Sequence, residues 1–222
     1  MHVLAAVTRS SNNVTTMLVA ALLIAAVVAL AALTVRLVIL MRRRRHDAGL
    51  AKLAHSDSLT GLANRRRLDD DLNACRRDRR LPVAVMMVDV DNFKIINDTH
   101  GHAAGDRILQ AIGNLLAAEV RSKDVVYRYG GEEFCVLLPG ASADEAMRVA
   151  ERICRSTAEL SVPVGGNVTV SVGVAIGMAS DVMRIVGEAD AALYEAKRGG
   201  RNRVILASRR ALPAGEGLAV GS

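Results

Sequence analysis

From Val14 to Val35 the chain carries no charged side chain and is built almost wholly from Ala, Val, Leu and Ile. A run of that length matches the ~20 residues a helix needs to cross the hydrocarbon core of a bilayer. In lipid every backbone group must be satisfied within the segment, so one transmembrane helix is expected over 14–41. A cleaved signal peptide would carry its charges before the apolar run and a small-residue cleavage site after it, whereas here Arg42-Arg43-Arg44-Arg45 follows. Set against the single Arg9 on the other flank, that block orients the C-terminal side inward. A short extracytoplasmic segment over 1–13 and a single pass are therefore expected, with everything after Met41 in the cytoplasm. Arg36 near the inner end can extend its stem to the headgroups and needs no further role. The outer segment is too short to fold as a sensor domain.

The formal charge of +6 does not describe a basic protein surface, because the four arginines at 42–45 leave only +2 for the rest. Phe, Trp and Tyr make up 2% of the chain, so the stacking side chains that accompany nucleic-acid binding are nearly absent and no nucleic-acid partner is expected. Cys75, Cys135 and Cys154 form no C-x-x-C pair and are an odd number for a disulfide framework, as reduced cytosolic thiols would be. Residues 42–56 are charged or helix-favouring and read as a helical linker. A Gly/Ala-rich tail without periodicity is expected to be disordered over 207–222.

Between these limits strand and helix patterns alternate. Pro82 to Asp89 is a continuous apolar run of the buried-strand kind, and Ile108 to Val120 places Ile108, Leu109, Ile112, Leu115 and Leu116 at helical spacing. Val125 to Tyr129 and Glu132 to Leu138 flank Gly130-Gly131 as a hairpin. A helix over 143–158, a strand over 168–176, a helix over 183–197 and a short strand over 203–206 complete the order. That order predicts an α+β fold with a ferredoxin-like β-α-β-β-α-β core and extensions, occupying 57–206.

A carboxylate at the end of a buried strand is presented at the sheet rim, and Asp89 holds that position. Glu132-Glu133 beside the Gly-Gly pair supplies acids from a second strand. Two carboxylates meeting at one rim suit hard Mg²⁺ when nucleotide phosphates complete its octahedron. The plainer alternative is solvated acids at strand ends. Surrounding residues decide between them: Asp89-Val90-Asp91-Asn92-Phe93-Lys94-Ile95-Ile96-Asn97-Asp98 and Arg128-Tyr129-Gly130-Gly131-Glu132-Glu133-Phe134 closely resemble the two signatures of the GGDEF-family diguanylate cyclases, with Glu where the family name has Asp. Asp57-Ser58-Leu59-Thr60-Gly61-Leu62-Ala63-Asn64-Arg65-Arg66 resembles that family's opening motif. Gly101-His102 with Gly105-Asp106, Ser171-Val172-Gly173-Val174-Ala175, and 189–202 resemble later ones, so that about two-thirds of the chain follows the family's order.

The resemblance implies a nucleotide-cyclase fold and the condensation of two GTP into cyclic di-GMP by a Mg²⁺- or Mn²⁺-dependent homodimer on the cytoplasmic side of a bacterial inner membrane. It implies that Asp89, Glu132 and the carbonyl of Val90 ligate metal, with Asp89 and Glu132 the catalytic pair. Asn97 and Asp106 would read guanine, since a carboxylate accepts from both N–H groups of its Watson–Crick edge. The backbone around Asn92 to Lys94, with Gly130, Gly131, Lys197 and Arg201, would hold the phosphates. Phe93 is expected to pack beside the nucleotide; Asn64, Arg65 and Arg66 to touch substrate or shape the opening turn. Lys197 and Arg201 would share a helical face if the helix extends that far. Asp91, Asp98 and Asp190 are expected as turn, capping or surface carboxylates. His100 and His102 lack the further ligands a zinc site requires. Arg121-Ser122-Lys123-Asp124 matches the family's R-x-x-D inhibitory motif, which implies product inhibition by cyclic di-GMP. A catalytically weak or inactive cyclic di-GMP receptor using that motif is the alternative.

Overall fold

The computed structural model describes residues 30, 33–39, 41, 54–162 and 167–208. The chain divides into two units, Met1–Leu53 and Ala54–Ser222. In the first unit, residues 33–39 are helical with exposed apolar side chains such as Leu33 and Val35. Among the described residues no helix is long and apolar enough to cross a membrane. Most of the expected transmembrane segment, the linker from 42 to 53 and the tail beyond Ser208 lie outside the described residues.

The second unit is an α+β fold on one mixed sheet. In chain order it runs β1 (Ala63–Asn64), α1 (Arg65–Cys75), β2 (Pro82–Val90), α2 (Phe93–His100), α3 (His102–Glu119), β3 (Val125–Gly130), β4 (Glu133–Pro139), α4 (Ala143–Ala158), β5 (Val170–Met178), a 3₁₀ turn (Ala179–Asp181), α5 (Val182–Arg198) and β6 (Val204–Leu206). The strands lie in the order β1-β3-β4-β2-β5-β6. The inner four, β3-β4-β2-β5, pair antiparallel throughout, as a ferredoxin-like core does, and β1 and β6 extend it by parallel pairing at either edge.

β2 reads as an unbroken apolar run because both of its faces are covered. Ala84, Met86, Val88 and Val90 point into a core with Ile108, Ile112 and Leu116 of α3 and Ala150 and Ile153 of α4. Val83, Val85 and Met87 point the other way, to Leu68 and Leu72 of α1 and to Ile185, Ala189 and Leu193 of α5. This period of two decides the chemistry: Asp89 continues the odd-numbered face and so emerges toward α5. Helix starts follow local side-chain chemistry. Asn64 caps α1 by accepting from Arg67 N at 3.1 Å, and Ser142 with Glu145 forms a reciprocal capping box on α4.

Three features depart from the sequence reading. β1, α1 and α2 add to the patterned elements. The hairpin turn is Gly131-Glu132, one residue later than the Gly-Gly pair, because an irregularity between Arg128 and Gly130 shifts the β3–β4 register. α5 stops at Arg198, and Arg201 sits in the left-handed region at φ 63°, so Lys197 and Arg201 do not share a helical face.

Candidate active site at the sheet rim

Asp89 is not a solvated strand-end acid: it is 4% exposed, and its Oδ2 lies 2.8 Å from Nζ of Lys197 on α5. Its partners across the sheet are Glu133 of β4 and Ser171 of β5. Burial pushes the Asp89 carboxyl above its ordinary range; Lys197 offsets part of this, and the charges of Glu133 and Asp91 add to it. Glu132, in the turn, is likewise raised, first by burial and then by Asp89, with Lys197 opposing. The Asp89 charge thus acts on Glu132, and a cation near the pair would oppose the rise as Lys197 does. Glu133 is the acid the sequence reading left unassigned, and its adjacency to Glu132 was the available signal.

The backbone ties the two carboxylate-bearing segments together, since Val90 N donates to Glu132 O at 3.3 Å. One guanidinium fixes the turn from below: Arg128 donates through Nε and Nη2 to Gly131 O at 3.1 and 2.8 Å and through Nη1 to both oxygens of Asp57 at 3.0 and 3.2 Å. Burial alone would raise the Asp57 carboxyl, but hydrogen bonds from Thr60 and Arg128 outweigh it and hold it below its usual value. Asn64 donates to Ala54 O and Ser56 O, and Arg65 lies 4.5 Å over the Tyr129 ring, so both shape the opening turn.

The remaining expected residues fall around this rim with different status. Asn92 caps α2 in the left-handed conformation at φ 56°, and Lys94 is exposed beside it. Phe93 is 7% exposed and belongs to the core. Its ring lies under Asn97 and Gly105, as a floor and not an open contact surface, since a Cβ on Gly105 would stand 3.0 Å from Phe93 Cζ and 2.0 Å from Asn97 Oδ1. Gly105 is thus the residue that admits the Asn97 amide between α2 and α3. Asn97 Oδ1 is buried against Gly105 without a hydrogen-bond partner among the described residues, which costs about 1–3 kcal/mol. Asp106, next along α3, is exposed. Asp91 stands in the turn after β2, one of the turn, capping or surface positions expected of it, but at 5% exposure it is not a surface group; Asp98 and Asp190 are exposed.

Arg121 and Asp124 lie away from this rim, before β3. Arg121 N donates to Asp124 Oδ2 at 3.1 Å, and Arg121 Nη2 pairs with Glu145 at 2.8 Å. Hydrogen bonds from Ser142 and Arg121 pull the Glu145 carboxyl down to about 2, so it stays ionised. A groove of ≈ 930 Å³ along α5 and β6, lined by Arg184, Asp190, Tyr194 and Leu206 among others, includes neither Arg121 and Asp124 nor Asp89, Glu132 and Lys197. Among the described residues no group of three or more His, Cys, Asp or Glu converges on a metal position. The set available at the rim is smaller, two carboxylates and a carbonyl. Its fit to a hard divalent cation rests on the donor chemistry, the carboxylates of Asp89 and Glu132 with the Val90 carbonyl, and on the unfavourable charge that Asp89 places on Glu132.

Comparison with known proteins identifies relatives of the second unit. The family "Diguanylate cyclase, GGDEF domain" matches residues 54–203. Diguanylate cyclase A of Treponema denticola is 45% identical over 141 residues, covering 61% of this chain and 38% of that protein. The chain spans 35 to 52% of the length of the curated relatives it matches. Among solved structures, the coiled coil and GGDEF domain of DgcB from Caulobacter crescentus in complex with c-di-GMP superposes with a TM-score of 0.73 at 31% identity, covering 80% of this chain and 98% of that one. The active GGEEF domain of a diguanylate cyclase from Vibrio cholerae gives 0.62 at 33% identity, covering 67% and 99%.

Proposed function

The chain belongs to the GGDEF-domain diguanylate cyclase family, and from that membership we propose that it condenses two GTP into cyclic di-GMP with release of two pyrophosphates. The observation that carries the reading is the buried Asp89 carboxylate, faced by Lys197 and set against Glu132 at the end of the central strand. In each half-reaction the 3′-hydroxyl of one GTP attacks the α-phosphorus of the other, a new P–O bond forms, and the bond to pyrophosphate breaks. Asp89, Glu132 and the carbonyl of Val90 would hold Mg²⁺ or Mn²⁺, which when bound reduces the negative charge of the phosphates and favours deprotonation of the hydroxyl.

The chain's own residues supply position and charge. Lys197 and Arg201 approach the rim from α5 and the turn after it and would hold the phosphates, with the backbone of 92–94. Gly130 and Gly131 would lie over them. A Cβ on Gly131 would meet nothing within 4 Å and its φ is not left-handed, so the fold itself does not require glycine there. Asn97, packed against Gly105, and Asp106, exposed next to Gly105 on α3, would read the guanine edge. One such rim holds one nucleotide, so the reaction needs two domains facing each other. Asp89 and Glu132 both being retained favours the enzyme over a non-catalytic receptor.

The test is to incubate the full-length chain with GTP and Mg²⁺ and identify the product by mass. Cyclic di-GMP is expected, its accumulation slowing the wild type and slowing Arg121→Ala at least about tenfold less sensitively, since Arg121 would exchange Glu145 for the product. A linear product or none would defeat the reading, and equal sensitivity would leave Arg121 a structural residue. The 14–41 segment is proposed as a single membrane span of a bacterial inner membrane with the catalytic unit in the cytoplasm, on the strength of the arginines at 42–45. An alkaline phosphatase reporter fused after Ser222 should stay inactive. Periplasmic activity would invert the topology.

A further inference from the structure

The rim carries a buried carboxylate that none of these roles uses. Asp91 follows Asp89 by two residues and, among the described ion pairs, takes part in none. Its acceptors are instead committed to three neutral donors from two other elements. Oδ1 accepts from Ser171 Oγ at 2.6 Å, and Oδ2 accepts from Thr169 Oγ1 at 2.7 Å and from the backbone N–H of Asn202 at 3.0 Å. Its own N–H goes to Thr169 O at 2.9 Å. With three of about four acceptor sites filled, Asp91 has little left for a ligand.

The third donor is the informative one. Arg201 and Asn202 are consecutive non-glycine residues in the left-handed region, at φ 63° and 45°. Such a pair persists only where its surroundings hold it. Arg201 N bonds back to Ala196 O at 3.1 Å and Arg203 O accepts from Val172 N at 2.9 Å, which anchors the turn to α5 and to β5. The Asp91 bond anchors it to the strand end that carries Asp89.

We infer that Asp91 is a positioning residue for the nucleotide phosphates: it holds the Arg201-Asn202 turn in its left-handed form, so that the Arg201 guanidinium is delivered to the rim where Asp89 stands. This rests on reading Arg201 as a phosphate cation. The role needs a short acceptor that reaches a backbone N–H, not a charge. An amide oxygen at the Oδ2 position keeps the Asn202 bond, while its NH₂ faces a Ser171 hydroxyl that can rotate to accept.

Steady-state GTP kinetics on the full-length chain separate this from a packing role. Asp91→Ala is expected to raise KM for GTP about tenfold with kcat within about threefold of wild type, the pattern of lost uniform binding. Asp91→Asn is expected to rescue most of that rise. Arg201→Ala should give a comparable KM, and adding Asp91→Ala to it should worsen KM by no more than about twofold, because the two act through one turn. Asp91→Ser, too short to reach Asn202 N–H, is the second truncation should the alanine variant not fold, with the same KM expected. Multiplying effects in the double variant, a fall in kcat at unchanged KM, or no rescue by Asn would each overturn the inference. Wild-type KM in Arg201→Ala alone would instead defeat the phosphate reading of Arg201, a result obtained without touching Asp91. Amide exchange at Asn202 then still decides the positioning: faster in Asp91→Ala supports it, unchanged overturns it.

Discussion

Asp89→Asn is expected to lower GTP condensation by about three orders of magnitude while leaving the protein's melting temperature, measured without divalent metal, unchanged or higher. The activity loss follows from removing the buried carboxylate that faces Lys197 at the end of the central strand. The stability expectation follows from the sign of its pKa. Burial raises the Asp89 carboxyl above the unfolded value and Lys197 only partly offsets this. The native state therefore binds a proton at this site more tightly than the unfolded chain does. At pH above the folded value the ionised group weighs against folding, and that cost is relieved as pH falls through it. Asparagine removes the charge at nearly constant volume, and Lys197, about a third exposed, keeps its hydration. Turnover within tenfold of wild type, or a clear drop in melting temperature, would show that Asp89 serves the fold and not the reaction.

Gly173→Ala is expected to destabilise the second unit by about 3 kcal/mol or more and to abolish turnover in whatever remains folded. A Cβ at Gly173 would stand 2.1 Å from Ala189 O, 2.2 Å from Leu193 N and 2.8 Å from Leu193 Cα. All three are main-chain atoms of α5, so no side-chain rotation can make room and the helix itself must move off β5. The same helix carries Lys197, one turn beyond Leu193, and Lys197 meets Asp89 at 2.8 Å. Close approach at Gly173 and the cation at the rim are two consequences of one helix position. Thermal melting with GTP turnover measures both; an alanine variant with wild-type stability would mean that α5 can shift without cost, and would remove the account of how Lys197 is placed.

Asp89 and Gly173 also show where sequence reasoning succeeds and where it stops. The apolar run of β2, the helical spacing of α3, the hairpin and the span of α4 are legible because they depend on local periodicity and capping, with Ser142 and Glu145 closing the start of α4 by themselves. Ordered strand, helix, hairpin, helix and strand then admit few topologies, and the ferredoxin-like core is among them. Most candidate residues were legible through the resemblance of their motifs to one family, which names side chains without needing to know where they meet.

What those side chains do to each other was decided by long-range register. The β2–β4 pairing sets Glu133 opposite Asp89, and one slipped residue at Arg128 puts Glu132 into the turn. Asp91 looks like any turn aspartate until β5 and the 201–202 turn, both distant in sequence, converge on it. Arg201 looks helical by spacing and is not, because α5 ends at Arg198. The chain alone determined most of the elements, which follow from neighbours within a few residues, and through its motifs the groups that could carry chemistry. Only the tertiary structure decided burial, ion pairing and the pKa shifts at Asp89 and Glu132, because these depend on distance and dielectric between segments that sequence order leaves far apart.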